Sequence, residues 1–161
     1  MLKWILILFL VFPVKLEAQD STRLHSVFAE IGGVGVYGSV NYERIFPLSD
    51  KWKLGARVGL STLKFIDFNG KFNPDLILPL GISAIFGQTH CAEVGIINVL
   101  TGINEFEDDL ERTWSSNGSA LIGYRYNAKR NPLYYKCFYS PMLIRYEQII
   151  HWGGLGIGYR F

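Results

Sequence analysis

Three groups of side chains in this sequence could do chemistry: histidines with serines, a carboxylate-rich segment, and charges interleaved with glycines. A lipid hydrolase needs Ser, His and a carboxylate converging on one point, so that the imidazole takes the hydroxyl proton. His151 with Ser115, Ser116 and Ser119 comes nearest to that set. No G-x-S-x-G elbow frames these serines. His25 and His90 lie elsewhere in the chain, and neither H-E-x-x-H nor a Cys/His ligand spacing occurs. A lipid-modifying hydrolase therefore stands as an alternative. The expectation is no enzyme, no metal site and no cofactor.

Two other motifs have plainer explanations. Gly33-Val34-Gly35-Val36-Tyr37-Gly38 matches G-x-G-x-x-G. A dinucleotide site needs a helix next, whose N-terminus meets the pyrophosphate, and a strand pattern follows instead. Glu105, Glu107, Asp108, Asp109 and Glu111 could gather Ca²⁺ or Mg²⁺. They lack the EF-hand spacing and its glycine, so a solvated acidic loop is expected. Asn117-Gly118-Ser119 matches a glycosylation sequon, which alone assigns no function.

The third group says most. Glu30, Glu43 and Glu93, with Lys53, Arg57, Arg125, Lys136 and Arg160, stand on the polar faces of segments whose other faces are apolar. Such period-2 alternation marks strands. Trp52–Thr62 is the clearest: Trp52, Leu54, Ala56, Val58 and Leu60 against Lys53, Gly55, Arg57, Gly59 and Ser61. Trp152–Phe161 alternates Leu155, Ile157, Tyr159 and Phe161 with Gly154, Gly156, Gly158 and Arg160. Similar patterns run over Ser26–Gly32, Val36–Phe46, Leu76–Phe86, Cys91–Leu100, Asn117–Tyr126 and Leu133–Ile144.

About eight strands near the ~9–11 residues of a membrane-crossing strand predict an all-β fold. The expected architecture is a transmembrane antiparallel up-and-down β-barrel. Connections after every second strand (Pro47–Lys51, Gly87–His90, Ala128–Pro132) are short, as periplasmic turns are. Leu63–Asp75, Thr101–Ser116 and Arg145–His151 are longer and are expected outside; Gly33–Gly35 reads as a tight reversal. Phe46, Trp52, Phe86, Tyr126, Tyr135, Tyr159 and Phe161 sit on the apolar face near the turn ends, as an interfacial girdle does. Arg44 shares that face, close enough to its end to snorkel. A soluble barrel would turn a mostly charged face to water. Here that face is largely Gly and Ser, which suits a narrow lumen.

Lys3, the apolar run Trp4–Val14 and Leu16-Glu17-Ala18 form a signal-peptide pattern, with the mature barrel domain beginning at Gln19. The apolar run is too short to span as a helix. The full chain has 161 residues, 49% apolar and 15% aromatic, with a mean hydropathy of +0.17. Removing Lys3, Lys15 and Glu17 from its 16 basic and 14 acidic residues leaves a net charge of +1. That balance makes no electrostatic case for nucleic acid. Export would permit a disulfide between Cys91 and Cys137, but an intervening strand separates them, and free thiols are expected.

The strand motifs E-I-G-G-V-G-V-Y-G-S-V-N-Y-E-R-I-F (30–46), L-G-A-R-V-G (54–59), P-L-G-I (79–82), A-E-V-G (92–95), I-G-Y-R-Y (122–126) and L-G-I-G-Y-R-F (155–161) resemble a family of small bacterial outer-membrane β-barrel proteins. The resemblance covers nearly the whole mature chain and implies the barrel fold and the bacterial outer membrane. It transfers no catalytic residue. Tyr159 and Phe161 resemble the C-terminal signal read by the barrel-assembly machinery. Lys136–Pro141 is less glycine-rich than the other motifs.

The expectation is a non-enzymatic, monomeric outer-membrane barrel contacting outer-membrane lipid, its outer loops open to an unidentified partner. Its eight lumen charges form a paired network that plugs the interior, since lone buried charges are costly. Glu93 and Arg125, on consecutive strands, should pair. A gated ion path through the network is the functional alternative. A soluble, secreted, lipocalin-like ligand binder is another, and would need an apolar lumen.

Overall fold

The computed structural model describes residues 24–66, 72–106, 110–144 and 148–161. The expected signal peptide, Met1–Ala18, lies outside them, as do Glu107, Asp108, Asp109 and the side chains of Glu105 and Glu111. The strands are β1 (His25–Gly32), β2 (Gly38–Pro47), β3 (Trp52–Ser61), β4 (Leu76–Gly87), β5 (His90–Phe106), β6 (Leu110–Asn127), β7 (Leu133–Tyr139), β8 (Met142–Ile144), β9 (Gln148–Ile150) and β10 (Gly153–Arg160). Eight of them form one closed antiparallel barrel in the order β1-β2-β3-β4-β5-β6-β7-β10, and β10 pairs back onto β1. Closure leaves no open sheet edge among these eight.

The alternation read from the sequence becomes an inside and an outside. In β2, Ser39, Asn41, Glu43 and Ile45 are buried, while Val40 and Tyr42 are exposed. Val58, Leu60, Ile82, Val94, Ile96, Ile122, Leu155 and Ile157 all lie on the exposed outer face. The interior takes the carboxylates, guanidiniums and hydroxyls. Polarity is thus reversed from that of a barrel folded in water. One end carries Leu24 and the short turns after β2, β4 and β6 (the turn end). The other carries the longer connections (the loop end).

The glycines of β10 follow from packing against β7. Gly154, Gly156 and Gly158 stand directly opposite Phe138, Lys136 and Tyr134. A Cβ at Gly158 would lie 2.3 Å from the Tyr134 ring, and one at Gly154 would lie 2.5 Å from the Phe138 ring. β10 therefore gives up its inward side chains so that β7 can lay three large ones over it. This fixes the closing register.

Three expectations need correction. Thr101–Ser116 is not a loop throughout: β5 runs on to Phe106 and β6 begins at Leu110, paired Phe106↔Leu110. Thr101, Thr113 and Trp114 supply β-favouring side chains there, and the paired backbone outweighs the charges. Leu133–Ile144 is not one strand. Pro141 lacks an N–H for the ladder, so β7 stops at Tyr139, and β8 pairs with β6 and β9 instead. Nor is Gly33–Gly35 a bare reversal. It is a buried 3₁₀ turn, and Val34 is fully enclosed. Val36, just after it, has φ +62°, a left-handed conformation costly for a β-branched residue. Its side chain packs on the same cluster as Val34, which holds it there.

Candidate functional site: the lumen

The barrel interior falls into three zones along its axis. At its centre, six charged side chains from six strands meet in two clusters. In the first, Arg125 of β6 lies between Glu43 of β2 and Glu93 of β5. Its Nη1 and Nη2 donate to the two Glu43 oxygens at 2.7 and 2.9 Å, and its Nε donates to Glu93 Oε2 at 3.0 Å. The two-pronged grip on Glu43 crosses the lumen, because β2 and β6 are not neighbours. In the second, Glu30 of β1 lies between Arg57 of β3 and Lys136 of β7. Arg57 Nη1 donates to Glu30 Oε1 at 2.8 Å, and Lys136 Nζ is 2.8 Å from the same oxygen. The lysine contact is close enough for an ion pair but is not aligned as a hydrogen bond.

The two clusters have opposite imbalance. One holds two carboxylates and one cation, the other one carboxylate and two cations, so together they are neutral. All six side chains are at most 4% exposed. Taking these ions from water costs several kcal/mol each. Only their mutual attraction and added hydrogen bonds offset that. Ser26 donates to Glu43 at 3.3 Å and Ser39 to Glu30 at 3.3 Å. Aromatic rings cover the cations as well: Arg125 stacks 4.7 Å from the Tyr134 centroid, and Lys136 Nζ lies 4.1 Å from that of Phe28.

Towards the loop end the interior becomes apolar. Ile77, Ile97, Val99, Leu121, Phe138 and Met142 enclose Val34, which the first hairpin turns inward. Val36, Leu63 and Trp152 pack on this cluster from its rim. Sequence reasoning missed this zone. The signal for it is the run of large apolar residues at inward positions of β4, β5 and β6, beyond the last inward charge.

At the turn end lies the third zone, a mouth cavity of about 450 Å³. Here the structure separates two residues from the expected network. Lys53 is half-buried and makes no ion pair with a described residue. Arg160 donates to the carbonyls of Pro132 and Ala128. Both line the cavity rather than join the central clusters.

The remaining candidates do not converge. His151 pairs with the Tyr139 hydroxyl on the outer surface. Ser116 donates to Asn98, while Ser119 is buried and bonds Ser140 and the Pro141 carbonyl. His25 and His90 each meet a tyrosine, Tyr42 and Tyr124, on the outer face. Among the described residues no group of three or more His, Cys, Asp or Glu side chains could hold a metal ion. Both cysteines are free, Cys91 buried inside and Cys137 exposed outside. Tyr159 and Phe161 are about half exposed on the outer face, and Arg44 lies over the Phe46 ring.

The closed eight-stranded antiparallel barrel, polar inside and apolar outside, is the fold of a small outer-membrane β-barrel. Among solved structures, the crystal structure of the N-terminal β-barrel domain of Pseudomonas aeruginosa OprF is similar, with a TM-score of 0.55 and 15% sequence identity. The match covers 85% of this chain and 95% of that domain. At that identity the likeness concerns the fold. No family model and no curated protein matches the sequence.

Proposed function

We propose that this chain is a non-enzymatic, monomeric outer-membrane barrel whose lumen is plugged. The observation that carries the proposal is the reversed polarity. The large exposed side chains of the barrel wall are aliphatic and aromatic, while the interior buries three Glu, two Arg and one Lys. In water that arrangement would expose a continuous apolar belt at great cost. In a bilayer the belt meets hydrocarbon, and Trp52, Phe86, Tyr135, Tyr159 and Phe161 lie near the turn-end rim, at headgroup level. The turn end then faces the periplasm and the loop end the outside. The paired central clusters and the apolar zone behind them block ion passage in series. Tyr159 and Phe161 serve barrel assembly, and the projecting β5–β6 hairpin is the surface offered to a partner. This assignment sets aside the ion path, the hydrolase and the soluble ligand binder.

Expression of the full chain in a Gram-negative host, followed by fractionation, tests the proposal. The mature protein should begin at Gln19, resist alkaline extraction from the outer-membrane fraction, and be cut by external protease within 63–75 or 101–116. Recovery from the soluble periplasm would favour the secreted ligand binder instead.

A further inference from the structure

The central clusters balance their own charge, whereas the charged residues in the described lining of the turn-end cavity are all cationic. Among the described residues, five cationic side chains line it, Lys53, Arg125, Lys129, Arg130 and Arg160, and no Asp or Glu does. Arg125 is committed to Glu43 and Glu93. The other four arrive from three separate places: Lys53 at the start of β3, Lys129 and Arg130 in the β6–β7 turn, and Arg160 at the end of β10. The backbone carbonyls of Pro132 and Ala128 hold Arg160 at the mouth. Gathering like charges in one concave space raises the local potential, and low-dielectric walls concentrate the field further. Here the walls include Ile45 and Ile85.

We propose that this cavity is a binding site for a phosphate-bearing anion entering from the turn end. Phosphate chemistry fits better than a single carboxylate. Besides Arg125 and the carbonyl-held Arg160, the site offers the Arg130 guanidinium fork and the Lys53 and Lys129 ammonium groups, more donors than one planar carboxylate can use. A tetrahedral dianion presents acceptor oxygens in several directions and matches such a set. The volume of about 450 Å³ takes inorganic phosphate or a small phosphate monoester. The wall position of Ile45 and Ile85 leaves an apolar surface for the organic part of a monoester. Which compartment supplies the ligand follows from the proposed orientation. Binding itself does not depend on it.

The experiment uses the full mature chain, folded in detergent micelles, titrated with inorganic phosphate and separately with glycerol 3-phosphate by calorimetry. Saturable binding of one equivalent is expected. Lys129→Gln/Arg130→Gln changes only exposed turn residues, so the barrel should fold normally and the affinity fall at least tenfold. Lys53→Gln should lower it similarly. Tighter binding of glycerol 3-phosphate than of phosphate places the organic part on the apolar wall, and equal binding restricts the site to the phosphate group. Absence of saturable binding by either anion would overturn the proposal. So would binding that the turn variant and Lys53→Gln both leave unchanged while circular dichroism shows them folded.

Discussion

The centre and the loop end of the lumen are both filled by side chains, of opposite kinds. At the centre, Arg125 and Glu30 each bridge two partners of opposite charge from other strands. At the loop end, Val34 is driven into a ring of aliphatic side chains and Phe138. The charged centre is directional: each ion must meet its counterpart at hydrogen-bonding distance, so it specifies which strands face each other. The apolar end is tolerant of shape and depends on volume. A barrel with only the second kind of filling could slip in register. One with only the first would depend entirely on exact compensation of charge. Together they give this small barrel a specified closure and a filled interior.

The largest effect should come from the residue serving two partners. Arg125→Leu strands Glu43 and Glu93 together and should cost on the order of 3–5 kcal/mol, measured by urea unfolding of the barrel in lipid vesicles. Adding Glu93→Gln should recover only part of the loss, because Glu43 stays buried without its guanidinium. Adding Glu43→Gln as well should recover most of it. Full recovery by Glu93→Gln alone would mean that the grip across the lumen contributes nothing.

That distinction marks the limit of what the sequence conveyed. Glu93 and Arg125 lie on consecutive strands, and their polar-face positions suffice to bring them together. Glu43 reaches Arg125 from 82 residues away and from a non-adjacent strand. Strand periodicity assigns a face and neighbour order assigns a partner, but neither measures the distance across a lumen. For the same reason Lys53 and Arg160 looked like members of the network: they share its face but not its depth. Val34 was hidden differently. Between two glycines it reads as part of a reversal, and only the open space inside β4, β5 and β6 explains why it turns inward. The eight staves were legible because their side-chain period is fixed by the backbone. The Pro141 break was legible only as a proline near a strand end.

The apolar end should respond by volume alone. Leu121→Ala should cost about 2–5 kcal/mol, with no rescue by any charge substitution. Recovery on changing Glu30 or Glu43 would show that the zones are not separate. A smaller cost, about 1–3 kcal/mol, is expected for Gly158→Ala, whose new methyl meets the rigid Tyr134 ring. Gly156→Ala should cost less, since the Lys136 stem opposite can move. If the order of these two were reversed, the β7–β10 packing described above would be wrong. The smallest effect concerns independence. Val34→Ala removes about 1.6 kcal/mol of apolar burial at ~0.8 per methyl group. Its coupling to Gly158→Ala, at the opposite end of the lumen, should stay below about 0.5 kcal/mol in a double-mutant cycle.

Potassium efflux from lipid vesicles containing the folded barrel, with insertion checked by protease protection in the same vesicles, tests the central claim most directly. The proposed plug predicts efflux no faster than from protein-free vesicles. Steady efflux proportional to the amount of inserted protein would contradict the plugged lumen and favour a conducting path through the charged centre.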